Sequence, residues 1–208
     1  MIESQLRPNR VTDERVIGAF AAVRRELFVP PHLHAIAYVD EDLPLGGGRC
    51  VIEPMVVARL LQAAAIGAGD TVLLVGAGSG YEAALMAALA RNVVALEEDS
   101  GLARRARAAL VEHGISAVNV VEGPLVEGYA ARAPYDAILF GGAVAEVPAK
   151  ITAQLTEGGR LAAVIRSGEG VGRATIMTRA GGVISHRVIF DATIPFLPGF
   201  APKPAFVF

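Results

Sequence analysis

Apolar positions along the 208-residue chain follow two rhythms. Short unbroken runs read as strands buried on both faces: Val72–Val75, Val93–Glu97, Val118–Val121, Tyr135–Phe140 and Arg160–Ile165. Between them, apolar residues recur every three or four positions, as helices require. Thr12 or Asp13 caps a helix running to about Val23, with Val16, Ile17, Phe20 and Val23 on one face. Further helices are expected over His32–Tyr38, Pro54–Ala65, Tyr81–Leu89, Ser100–His113 (with Ser100 as cap and His113 as a last-turn cation) and Pro148–Leu155. Strands alternating with helices predict an α/β fold with a doubly wound, mostly parallel sheet. The tail departs from this alternation. Ala174–Thr178 and Val183–Phe190, joined through Gly181 and Gly182, predict an antiparallel β hairpin. Pro195–Phe208, rich in proline and phenylalanine, predicts an extended strap, packed on the surface or on a partner as in a homodimer.

The chemistry concentrates where the first run meets its helix. Thr71–Tyr81 reads TVLLVGAGSGY, a strand, a turn with glycines at 76, 78 and 80, then a helix. Glycine permits the tight bend and the close approach of a ligand, and the helix start offers free N–H groups. The dinucleotide pattern G-x-G-x-x-G puts its third glycine one residue later than this chain does. Tyr81 stands there, which favours S-adenosyl-L-methionine over NAD. Glu97 ends the second strand about twenty positions on, placed to accept hydrogen bonds from both ribose hydroxyls. Right-handed crossovers bring the strand ends at Gly76, Glu97, Gly123 and Gly141 to one edge.

Asp40–Pro54 (DEDLPLGGGRCVIEP) has the residues of a long functional loop. Domain organisation follows: an N-terminal helical cap and substrate loop over 1–66, an α/β core over 67–166, and a C-terminal β extension of the same domain over 167–208. The chain is 53% hydrophobic and 19% charged, with net charge −2, so charge alone recruits no nucleic acid or anionic membrane. Apolar runs too short to span a bilayer, and no opening signal peptide, predict a cytoplasmic protein. The single cysteine, Cys50, excludes an internal disulfide, and His32 and His34, two apart, do not share a helix face, so no metal site is expected.

Several segments in shared order make the chain resemble the protein-L-isoaspartate O-methyltransferases along nearly its whole length. They are Gln5-Leu6, RELFVP at 25–30, Ala37-Tyr38 with Asp40, LPLG at 43–46, Pro54 with Val57-Ala58, the Gly76–Tyr81 turn, Glu97, PYDAI at 134–138, and Gln154 with GGRL at 158–161. The resemblance implies a Rossmann-like methyltransferase that methylates the α-carboxylate of isoaspartyl residues in damaged peptides. It implies that Gly76, Ala77, Gly78, Gly80 and Glu97 hold S-adenosyl-L-methionine, that Pro124 and Leu125 border adenine, and that Gly48, Cys50, Ile52 and Glu53 line the acceptor site. The chain also departs from the family pattern. Ile52 stands where the family has the serine beside the substrate carboxylate, Glu53 for glutamine, Cys50 for threonine, Leu74 for an acidic residue, and Pro124-Leu125 for Asp-Gly. These departures leave two other readings open: a non-catalytic or substrate-shifted descendant acting as a binding protein, and, from the turn alone, an NAD-linked enzyme.

Overall fold

The structure, a computed structural model, describes residues 1–168 and 170–202. Helix α1 (Glu14–Ala22) starts at Asp13, whose carboxylate accepts from the Arg15 N–H at 2.9 Å. Residues 25–28 and 31–36 form tight 3-10 turns, because Pro30 and Pro31 remove the amide protons a longer helix would need. The stretch expected to be a loop contains a small hairpin, β1 (Leu43–Gly46) and β2 (Arg49–Val51). Gly46, Gly47 and Gly48 all take positive φ at its tip, a run that only glycine enters cheaply. Helix α2 (Pro54–Ala64) follows.

The core unit then begins with β3 (Thr71–Val75), α3 (Tyr81–Ala87), β4 (Asn92–Glu97), α4 (Ser100–Glu112) and β5 (Val118–Glu122). It continues through β6 (Tyr135–Val144), α5 (Ala149–Thr152), β7 (Leu155–Ile165), β8 (Arg173–Ala180) and β9 (Val183–Asp191). The sheet order is β5-β4-β3-β6-β7-β8-β9. Strands β3 to β7 pair in parallel, and β8 and β9 return antiparallel as the tail pattern predicts. The chain winds outward from β3 in both directions, so the switch point, where open α/β sheets bind ligands, lies between β3 and its neighbours β4 and β6. Val75 is level with Leu96 and Phe140, which brings the following turns to one edge.

Tertiary contacts moved several boundaries. Asp99, not Ser100, caps α4, accepting from the Leu102 N–H at 2.8 Å. Val111, an apolar residue of α4, lies exposed. His113 is tied to the N-terminal cap: its Nε2 accepts the Arg24 N–H at 2.9 Å, and its ring stacks on Phe28. Strand β6 runs on to Val144, its end pairing with β7 on one side and with the strap on the other. Ala143 donates to Pro195 O at 2.8 Å and Leu197 donates back to Ala143 O at 2.9 Å. Strand β7 starts at Leu155, which pairs with Tyr135, so α5 shrinks to one turn and Gly158 becomes an irregularity inside the strand. The strap follows its expected course through Phe200, with Leu197 and Phe200 buried. The last part, 203–208, of the Phe-rich tail on which the dimer expectation rests lies outside the described residues.

Beneath this edge, Arg25 is fully buried. Its Nε donates to Ala37 O at 2.7 Å, and its guanidinium lies 4.8 Å from the centre of the Tyr81 ring. Tyr81 also packs against Phe20 and Phe28. The large residue in place of a third helix glycine therefore serves the packing between α3 and the N-terminal cap. No helix among the described residues is long and apolar enough to cross a membrane.

Candidate active site

The glycine turn has the conformation its spacing implies. Gly76, Gly78 and Gly80 have φ of +85°, +56° and +95°, values that leave backbone groups exposed where a Cβ would block them. Gly76 and Ala77 both donate to Leu96 O at 2.9 Å, which binds the turn to the end of β4. Glu97 sits at that end, 0% exposed. Its Oε2 accepts the Gly78 N–H at 2.7 Å, and its Oε1 accepts the N–H groups of Glu98 and Asp99 at 3.0 and 3.1 Å. Burial of a carboxylate is tolerated only with such partners.

A fourth partner was not visible in the residue pattern. Arg49, the first residue of β2, donates from Nη1 to Glu97 Oε1 at 2.8 Å, with the two side chains 4% and 0% exposed. The cue in the sequence was thin: Arg49 is the one Lys or Arg between Arg25 and Arg59. Leu197, from the strap, closes the same place. A Cβ added to Gly76 would fall 2.6 Å from its Cδ2 and 3.1 Å from Arg49 Nη2. Leu45 of β1 stands over Gly78, 3.3 Å from the corresponding point. The expected open cradle at Glu97 is corrected accordingly. Glu97 lies at the predicted edge, but its carboxylate faces protein partners, and apolar side chains roof the turn.

Space remains further out. A cavity of about 850 Å³ is lined by Glu98, Asp99, Leu102, Gly123 and Pro124, with Arg49 at its inner wall. Pro124 lines this cavity, whereas Leu125 does not. Its side chain is fully buried in the second core cluster with Leu73, Val75 and Phe140. Glu98 and Asp99 are exposed, Asp99 caps α4, and both border the cavity. Ala77 is buried at the turn.

On the acceptor side, Ile52 is 1% exposed and belongs to the main core. The space beside it is filled, and it does not line an open pocket. Gly48 stands exposed at the hairpin tip, and Glu53 is half-buried beside Asp42, which accepts its N–H at 2.8 Å. Burial pushes the Cys50 thiol well above its ordinary range, reinforced by Asp42 and Glu82, so it is no nucleophile. The buried carboxyl behind this segment is Glu82, whose Oε1 accepts the Ile52 N–H at 3.4 Å. Desolvation raises its pKa from the ordinary carboxylate value. The folded state then holds a proton that the unfolded chain releases, so this group's stabilising effect is present at low pH and fades as pH rises. Glu82→Gln is accordingly expected to raise the melting temperature at pH 8 more than at pH 5, and melts at the two values measure it.

Among the described residues no cluster of His, Cys, Asp and Glu forms a metal site. The turn and Glu97 are of residue types, and in a place, that would suit an adenosyl donor, and Arg49 holds the Glu97 carboxylate.

Comparison with known proteins agrees with this assignment. The sequence model of the protein-L-isoaspartate(D-aspartate) O-methyltransferase family matches residues 1–192. A protein-L-isoaspartate O-methyltransferase of Koribacter versatilis is 41% identical over 205 residues, 99% of this chain and 92% of that protein. One from Methanoculleus marisnigri is 40% identical over 183 residues, 88% of this chain and 83% of that protein. A solved protein-L-isoaspartate O-methyltransferase superposes with a TM-score of 0.81 at 25% identity over 92% of this chain, which spans 63% of that structure's length. A putative one from Plasmodium falciparum, solved with S-adenosyl-L-homocysteine, shares the fold at a TM-score of 0.76 and 20% identity, over 88% of this chain and 90% of that one. The chain belongs to the protein-L-isoaspartate(D-aspartate) O-methyltransferase family and is a methyltransferase that uses S-adenosyl-L-methionine.

Proposed function

We propose that the protein methylates the α-carboxylate of isoaspartyl residues in damaged proteins or peptides, in the cytoplasm. The observation that carries this reading is the meeting of the Gly76–Gly80 turn with the Glu97 carboxylate at the sheet's switch point, in a chain of this family. When bound, the donor supplies a methyl group on a positively charged sulfur, an electrophile that needs no acid catalyst. An acceptor carboxylate is already ionised near neutral pH, so no base is required either. What remains for the protein is positioning and exclusion of water. Gly76, Gly78 and Gly80 let the backbone approach the donor, Glu97 accepts from its ribose, and Glu98, Asp99 and Pro124 border the space for its base. Leu45 and Leu197 keep the reacting edge dry.

The acceptor side differs most from the family. Ile52 offers no hydroxyl to orient a carboxylate, and its N–H is taken by Glu82. Specificity for the acceptor therefore rests on backbone groups of the Gly46–Glu53 segment and on how far that segment opens. With radiolabelled donor and an isoaspartyl peptide, a methyl ester above the no-enzyme control is expected, and an aspartyl peptide of the same sequence is expected to give none. Equal labelling of both peptides, or none of either, would refute isoaspartyl specificity.

A further inference from the structure

Resting on the donor-site reading above, we propose that Arg49 is an internal competitor for Glu97 that sets how tightly the methyl donor binds. Both carboxylate oxygens are engaged in the closed arrangement, Oε1 by Arg49 and Oε2 by the Gly78 N–H. A ribose diol reaches Oε1 only when Arg49 withdraws.

Three features make withdrawal feasible. First, the carboxylate keeps hydrogen-bond partners without Arg49, because the N–H groups of Gly78, Glu98 and Asp99 remain on it. Second, Arg49 is imperfectly held: among the described residues, its buried Nη2 has no hydrogen-bond partner. An orphaned guanidinium nitrogen raises the energy of the closed state and so lowers the cost of leaving it. Third, Arg49 rides on an element with no strand pairing to the rest of the fold. The β1–β2 hairpin pairs only with itself, through four and three residues, and turns on three consecutive positive-φ glycines. An isolated two-stranded hairpin is marginal by itself. Leu45 and Gly46 line the 850 Å³ cavity on one side and another of about 790 Å³ on the other, so the hairpin has space on both flanks.

The closed pair therefore reduces donor affinity by the fraction of molecules in the open state. Arg49→Met keeps the length and removes the charge. Calorimetric titration with S-adenosyl-L-homocysteine and with methylthioadenosine, a nucleoside thioether lacking the amino-acid carboxylate, reads the effect. Arg49→Met is expected to lower Kd about tenfold or more for both probes, and Arg49→Gln, the second variant should the first fail to fold, is expected to do the same. Unchanged Kd values overturn the competitor role and leave the donor site standing. Weaker binding of the homocysteine probe with tighter binding of methylthioadenosine also overturns it, because Arg49 would then be a partner for the donor's carboxylate. No binding of either probe by wild type, Arg49→Met or Arg49→Gln removes the donor site itself, and the competitor with it.

Discussion

Glu97→Gln is expected to destabilise the protein by about 3–5 kcal/mol, the usual cost of removing one partner from a buried ion pair. The carboxylate accepts from four donors: Arg49, Gly78, Glu98 and Asp99. A glutamine carbonyl satisfies fewer of them, and its NH2 group meets a donor head-on. The Arg49 guanidinium is then left buried without its counter-charge. For a chain of this size the loss corresponds to a fall in melting temperature of roughly 6–20 °C. Adding Arg49→Met to Glu97→Gln is expected to recover most of that loss, since the uncompensated charge is what costs. Strictly additive losses in the double mutant would show that the pair is not coupled as its geometry implies. Glu97→Gln is also expected to weaken donor binding by about 10- to 100-fold, the value of a hydrogen bond to a charged acceptor, whereas Arg49→Met strengthens it. Opposite effects on affinity from the two ends of one ion pair are hard to obtain from a purely structural role.

Gly141→Ala is expected to cost about 4 kcal/mol or more, a large share of a domain's total stability. An added Cβ would overlap the Gly76 carbonyl oxygen, and Val75 O lies close behind. Both neighbours are backbone, so no rotamer change relieves the overlap. The close approach of β6 to the glycine turn is thus a structural requirement of the switch point and precedes any ligand. Gly18→Ala, in the exposed interior of α1 with nothing within 4 Å of the new methyl, is the contrasting control. It is expected to stabilise by about 0.4–1 kcal/mol, through the unfolded chain's lost freedom. Denaturant melts of the two variants measure both predictions, and a mild Gly141→Ala would mean that β3 and β6 separate more readily than their registry suggests.

Local chemistry carried most of the architecture. The runs at Val72–Val75 and Val93–Glu97 have one plausible backbone, a buried parallel strand, and the glycine spacing after Val75 allows few alternatives. The tail hairpin was legible for the same reason, since Gly181 and Gly182 take the positive φ the connection needs. Errors gathered where one segment's structure depends on another. Asp40–Pro54 looked like a loop because its two strands are very short and its only strand partner is itself. The end of β6 was hidden because its last residues pair with β7 on one side and Ala143 with the strap on the other, the strap lying more than fifty positions away in sequence. The roles of Leu125 and Ile52 were what the family resemblance implied, and both side chains lie buried in the core. Which way such a side chain points depends on the distant segments that pack against it, which position in a motif does not encode.

The sequence by itself determined the class of protein: a parallel sheet, a glycine turn for an adenosyl group, an acidic residue at the neighbouring strand end, and the family that joins them. Periodicity and backbone permissiveness act over a few residues, so one chain suffices to read them. Only the tertiary structure decided what that acidic residue touches. Arg49 meets Glu97 across 48 positions, brought there by a hairpin whose placement reflects packing against the whole N-terminal cap, and no local rule selects which of the chain's arginines a buried carboxylate will hold.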